Sequence, residues 1–150
     1  MTNPIPIARG PAPATITAPQ SEDRSMEARW QYPELFKKGF LPVPFGFMEH
    51  YSRLKPYPLT TGEAMFVLHL MRFKWSAKAP FPGYKRLGAH MGISHKMART
   101  HAKSLEDKKL LRRVMRIGRT NRFDLAPLFA ALAKAVADER PGKRHHVAAD

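Results

Sequence analysis

The sequence predicts a mainly α fold with one small β-hairpin, and two observations predict it. From Pro82 to Leu125 the residues run in the order of a short helix, a tight turn, a longer helix with cations on one side, and a two-stranded ribbon rich in arginine. Outside that stretch, from Thr60 to Phe73 and again after Pro127, apolar residues recur at helical spacing. With 150 residues, 43% of them hydrophobic, the chain has material for one domain with a real core plus tails.

In chain order, residues 1–25 are rich in Pro, Ala and Thr and show neither helical nor strand periodicity. They read as a disordered tail, either a plain linker or leader or an arm that binds a partner. Only Arg9 is basic before Arg24, a poor basis for a minor-groove arm. Between Glu27 and Lys55 the chain turns aromatic, with Trp30, Tyr32, Phe36, Phe40, Phe45, Phe47 and Tyr51. Burial is the expected use of these rings, because aromatics supply the most core area in a small domain; stacking on nucleotide bases is the alternative. Phe40 to Val43 is expected as a short strand. Pro44 then suits the first residue of a helix reaching about Leu54, with Met48, Tyr51 and Leu54 facing the core.

Thr60 and Glu63 have the spacing of a capping box, each side chain satisfying the other residue's backbone amide. The helix they open runs to about Phe73 and carries Ala64, Phe66, Val67, Leu68, Leu70 and Met71. Apolar on most of its circumference, it belongs in the middle of a domain. Ser76 to Gly83, with two prolines, is a loop, and Gly83 takes the N-cap position of the next helix. That helix places Leu87 and Met91 four apart and stops at Gly92, which can turn left-handed without a side-chain penalty. Gly88 supplies a small residue where two helices cross closely.

Ser94 is the N-cap of a second helix reaching Lys108. Its inward stripe is Ala98, Ala102 and Leu105, at i, i+4 and i+7. Left outside are His95, Lys96, Arg99, Thr100 and Lys103, each able to donate a hydrogen bond. Leu111 to Ile117 and Asn121 to Leu125 read as the two arms of a hairpin around Gly118, Arg119 and Thr120, with Phe123 and Leu125 anchoring the return. After Pro127, Leu128, Leu132, Ala135 and Val136 make one stripe of a last helix. It can close the same core or pair with a second subunit in a homodimer. The helix ends before Pro141 and Gly142, and residues 140–150 form a basic tail.

The stretch LGAHMGISHKMARTHAKSL, Leu87 to Leu105, resembles the helix-turn-helix of bacterial winged-helix proteins. LEDKKLLRRV followed by GRTNRFDL resembles their helix end and wing. The wider span from Phe36 to Leu132, about two thirds of the chain, is similar to the amino-terminal DNA-binding domain of phage replisome organisers and plasmid replication initiators. That family has alanine where Gly88 stands, a β-branched residue where Ala98 stands, and glycine near Lys109. The resemblance implies a winged helix-turn-helix domain over residues 26–139, last helix included, whose second helix enters the DNA major groove.

The formal net charge of +14 is concentrated rather than spread. From Arg72 to Arg122 there are fifteen lysines and arginines against Glu106 and Asp107, a net +13. A polyanionic partner follows. With no cysteine, disulfides and thiolate metal sites are excluded, as suits a reducing compartment. The first twenty residues lack the apolar segment of a secretory signal, and the longest apolar run, Ala64 to Leu68, is too short to span a bilayer. A cytoplasmic, nucleoid-associated location and no membrane contact are therefore expected. There is no P-loop, no dinucleotide glycine pattern and no zinc set, and the twelve acidic residues offer no paired carboxylates. No catalysis, cofactor or metal is expected.

The expected function is non-catalytic binding of double-stranded DNA. His95, Lys96, Arg99, Thr100 and Lys103 are assigned to base edges, Arg99 being the best candidate for two-pronged reading of guanine. Lys85, Arg86, Ser94, Arg112, Arg113, Arg116, Arg119 and Arg122 are assigned to the DNA backbone. Arg119, at the tip, has the reach for a phosphate or a narrow minor groove. The resemblance implies plasmid or phage replication initiation, or transcription regulation, alongside other replication or transcription proteins. The alternative is a winged-helix subunit of a larger assembly that grips structured RNA or a protein partner.

Overall fold

The computed structural model describes residues 22–74 and 78–139. The chain divides into two units, Met1–Phe40 and Leu41–Asp150, a division that falls inside the span 26–139. The tails expected at 1–25 and 140–150 lie outside the described residues, except for residues 22–25. The described residues are mainly helical, with one two-stranded antiparallel sheet. No helix among them is long and apolar enough to cross a membrane.

In the first unit, α1 is Met26–Trp30, opened by Ser25, whose Oγ accepts from the Ala28 amide at 3.1 Å. A 3-10 turn follows at Pro33–Phe36. Neither element buries a residue. The expectation of buried aromatics fails here, with Trp30, Tyr32 and Phe40 all exposed. Helical segments this short have no second face long enough to enclose a ring, and Phe36 meets only the edge of Phe40, with centroids 6.4 Å apart.

The second unit begins without the expected strand, since residues 40–43 pair with nothing. Pro44 is the N-cap rather than the first residue of α2, Phe45–His50, and a 3-10 turn at Tyr51–Arg53 completes the segment. Phe47 and Leu54 are buried, whereas Met48 and Phe45 are exposed. Leu54 and Tyr51 meet the core as expected, and only Met48 gives way, to Phe47, because a helix this short takes its rotation from its neighbour: α2 packs on α6, Ala126–Ala137. A methyl group built on Gly46 would stand 2.7 Å from Val136 Cγ2, so glycine permits that contact.

The centre of the unit is α3, Thr61–Met71, where the capping box forms as expected. The Thr60 amide donates to Glu63 Oε1 at 3.1 Å and the Glu63 amide to Thr60 Oγ1 at 3.2 Å. Phe66, Val67 and Leu70 are fully enclosed, together with Leu87, Leu105, Leu111, Phe123 and Leu128 from the surrounding elements. Phe66 packs edge-on against Phe123, centroids 6.3 Å apart. Of the two uses open to α6, the chain itself shows core closure, with Leu128 and Leu132 buried.

Next come α4, Tyr84–Met91, and α5, His95–Asp107. Gly92 between them is left-handed at φ 69°, and the Ile93 amide reaches back to Gly88 O at 2.9 Å. Gly88 is required for a sharper reason than helix crossing. A Cβ there would lie 2.7 Å from Ile93 O and 3.1 Å from Ser94 O, so alanine would collide with the backbone of the turn.

The end of α5 repeats this closure without a glycine. Lys109 is left-handed at φ 61°, its amide bonded to Glu106 O and the Leu110 amide to Leu105 O, both at 3.0 Å. Leu105 and Leu110 are both buried, completing the hydrophobic contact of a Schellman end. A side chain in this conformation costs about 1 kcal/mol that glycine avoids. Lys109→Gly is therefore expected to raise stability by about 1 kcal/mol in urea unfolding, whereas Lys109→Ala, which keeps the Cβ, is expected to give no gain.

The hairpin is short: β1, Arg112–Val114, pairs with β2, Arg122–Asp124, in the register Arg112↔Asp124, Arg113↔Phe123, Val114↔Arg122. The rest of the expected first strand, Met115 to Ile117, is loop. The segment before α4 buttresses the hairpin from outside. The Phe123 amide donates to Pro80 O at 2.8 Å, and the Thr120 hydroxyl donates to Phe81 O.

Candidate nucleic-acid interface

Because Ala98, Ala102 and Leu105 turn inward, α5 presents its other side to water. Ser94 caps it, Oγ accepting from the Met97 amide at 3.1 Å. His95, Lys96, Arg99, Thr100 and Lys103 are all exposed. Lys96 and Arg99 have no carboxylate partner among the described residues. Lys103 lies 3.8 Å from Asp107, one turn on, an exposed pair that holds little energy. Thr100 needs correction as a donor, since its hydroxyl is given to Lys96 O at 3.0 Å and only a lone pair is left to offer.

Arg99 sits toward the hairpin. Its guanidinium lies 5.4 Å from the Tyr84 ring centroid. It also lines a cavity of about 270 Å³ together with Gly83, Tyr84, Arg119, Thr120 and Asn121. Two arginines from different elements thus border one hollow of mixed polarity at the start of α4. α5 and the hairpin tip consequently open on the same side.

The arginines expected on the backbone divide into two groups. Arg113 departs from the expected role: its half-buried guanidinium is committed to other side chains of the fold. Nε and Nη2 grip both oxygens of Glu106 at 2.6 and 3.0 Å, and Nη1 donates to the Tyr84 hydroxyl at 3.1 Å. This fork ties β1 to α5 and α4, holds the Glu106 carboxyl below its ordinary range and raises the arginine's own pKa. Arg112 is partly neutralised by Asp124, 3.1 Å away across the sheet. Arg86 stays exposed but lies over the Phe73 ring at 4.9 Å.

Arg116, Arg119 and Arg122 form the second group, with no carboxylate partner among the described residues. Arg116 is pinned, Nε donating to Thr120 O at 2.8 Å with the guanidinium 4.9 Å from the Phe81 centroid. Local desolvation, then the charges of Arg122 and Arg119, lower its pKa, so three like charges crowd one loop. A bound anion relieves such crowding. Lys85 is exposed in the first turn of α4.

Tyr84 and Phe81 are parts of this surface that the sequence reading passed over, and only their contacts with Arg99, Arg113 and Arg116 mark them. A second group, away from the hairpin, was also not foreseen. Glu49, His50 and Glu139 bring ligand atoms within 4.8 Å of one another, and His50 Nε2 meets Glu139 Oε1. They join the ends of α2 and α6, and their chemistry could hold a divalent cation. No family model matches the sequence, and no curated protein is similar to it.

Proposed function

We propose that this protein is a winged helix-turn-helix that binds double-stranded DNA, α5 lying in the major groove and the arginine hairpin on the flanking backbone. The observation that carries the reading is the face of α5 opposite the alanine stripe: exposed, cationic and unpaired at Lys96 and Arg99, on the side where Arg119 also opens. Lys96, Arg99 and Lys103, with His95 at the helix start, reach base edges. Lys85, Arg116, Arg119 and Arg122 take phosphates, and Arg112 does so in exchange for Asp124. Ser94, Thr100 and Arg113 hold the framework. Plasmid or phage replication initiation is the first biological setting to test, transcription control the second.

Selection from random duplexes supplies the preferred site. On that site Arg99→Ala is expected to lose discrimination at one base pair, by about 1–3 kcal/mol, and little elsewhere. Arg119→Ala is expected to weaken every sequence alike and to flatten the salt dependence. Equal loss on all duplexes from Arg99→Ala assigns it to the phosphate hollow it shares with Arg119 and denies it a reading role.

A second reading, a subunit of a larger assembly, is favoured by a different place. Pro44, Phe47, Met71, Phe129, Leu132 and Val136 line an apolar hollow of about 290 Å³ between α2 and α6.

A further inference from the structure

The hairpin loop holds two of the most exposed apolar side chains among the described residues. Ile117 is 103% exposed and Met115 85%, so Ile117 touches nothing beyond its own neighbours. Scattered surface apolar residues need no explanation. These two differ because the loop around them is fixed while they are left outside. Arg116 is tied to Thr120, Thr120 to Phe81, and Gly118 makes the bend at φ 66°. Between them and on either side stand Arg112, Arg116, Arg119 and Arg122, and no acidic residue occurs from Arg112 to Phe123.

A cationic rim around an apolar point fits a partner with anions at its edge and apolar surface within. Duplex DNA offers that combination in the minor groove when a base step opens, since phosphates border the groove and the parted base faces lie within. Resting on the DNA-binding reading above, we infer that Met115 and Ile117 form a wedge. It enters the minor groove beside the segment covered by α5, opens one base step and bends the duplex. The cavity bordered by both Arg99 and Arg119 puts the tip on the side where α5 meets DNA. Pyrimidine–purine steps, which unstack most readily, are the preferred point of entry. An anionic bilayer shares the rim-and-interior chemistry. It is the less suitable partner, since two side chains on a narrow tip offer little apolar area to a lipid surface.

The test uses the full chain and its selected duplex, with 2-aminopurine placed at successive steps flanking the α5 site and dyes on the duplex ends. Binding is expected to raise 2-aminopurine fluorescence several-fold at one step and to bring the ends closer. The double variant Met115→Ser with Ile117→Ser is expected to bind several-fold more weakly with an unchanged salt slope, and to lose both signals. Because both positions are exposed, an unchanged circular dichroism melt verifies the fold. Tight duplex binding with no fluorescence rise and no bend overturns the wedge and leaves the DNA-binding reading standing. Absence of duplex binding overturns both. Binding of the natural chain, but not of the variant, to phosphatidylserine vesicles, without any 2-aminopurine signal, assigns the tip to lipid and likewise overturns the wedge.

Discussion

Glu63→Ala is expected to destabilise the protein by about 3–5 kcal/mol, the cost of leaving a largely buried charge without its partner. Glu63 is 2% exposed and serves two helices at once. One oxygen closes the capping box at the start of α3 and accepts from Lys108 Nζ at 2.6 Å, while the other accepts from Ser104 Oγ at 3.3 Å. Lys108 also donates to Pro58 O at 2.9 Å, which fixes the loop before α3. Removing the carboxylate leaves that largely covered ammonium without its counter-charge and frees the end of α5. Glu63→Gln, which keeps the shape and the acceptor oxygen, is expected to lose less.

The same group sets an acid limit. Burial pushes the Glu63 carboxyl up, but the hydrogen bonds from Lys108 and Thr60 and the charge of Lys108 outweigh it, so its pKa is lowered. A carboxyl depressed in the folded state contributes stability above the ordinary glutamate value of 4.5 and loses it as pH falls through the lower folded value. Melting temperature measured down the acid range is expected to fall more steeply in the natural chain than in Glu63→Gln.

The second large effect is on affinity. Raising salt from about 50 to about 200 mM is expected to weaken duplex binding by about five-hundredfold, the loss for a protein that neutralises about five phosphates. Lys85, Arg112, Arg116, Arg119 and Arg122 are the cations assigned to phosphates, Arg112 by exchanging Asp124 for one. Arg113 does not join them, and Arg113→Ala is for that reason a stability variant: it unties β1 from α5.

Local signals were legible in the sequence. The left-handed Gly92, the Ser94 cap, the Thr60–Glu63 box and the Ala98–Ala102–Leu105 stripe each depend on residues within about two turns of one another. The fate of Arg113 does not: identical in composition to its neighbour Arg112, it becomes a brace only because Tyr84 and Glu106 are brought to it. Lys109 illustrates the converse. The sequence lacks the expected glycine, yet the chain turns left-handed there because Leu105 and Leu110 gain by closing on each other. Periodicity placed Tyr51 and Leu54 on the core but misassigned Met48, since over six residues an error of one position exchanges Met48 for Phe47. The hairpin arms were drawn too long because Met115 and Ile117 are residues suited to strands, while the pairing stops at Val114.

The most direct test is a titration of the full chain against its selected DNA duplex, a sequence-matched RNA duplex and the separate DNA strands, each at the two salt concentrations. Tightest binding is expected to the DNA duplex, with a steep salt slope and little affinity for the A-form RNA, whose deep, narrow major groove refuses α5. Equal or tighter binding to RNA or to single strands, or no binding to the duplex at low salt, contradicts the DNA-binding reading.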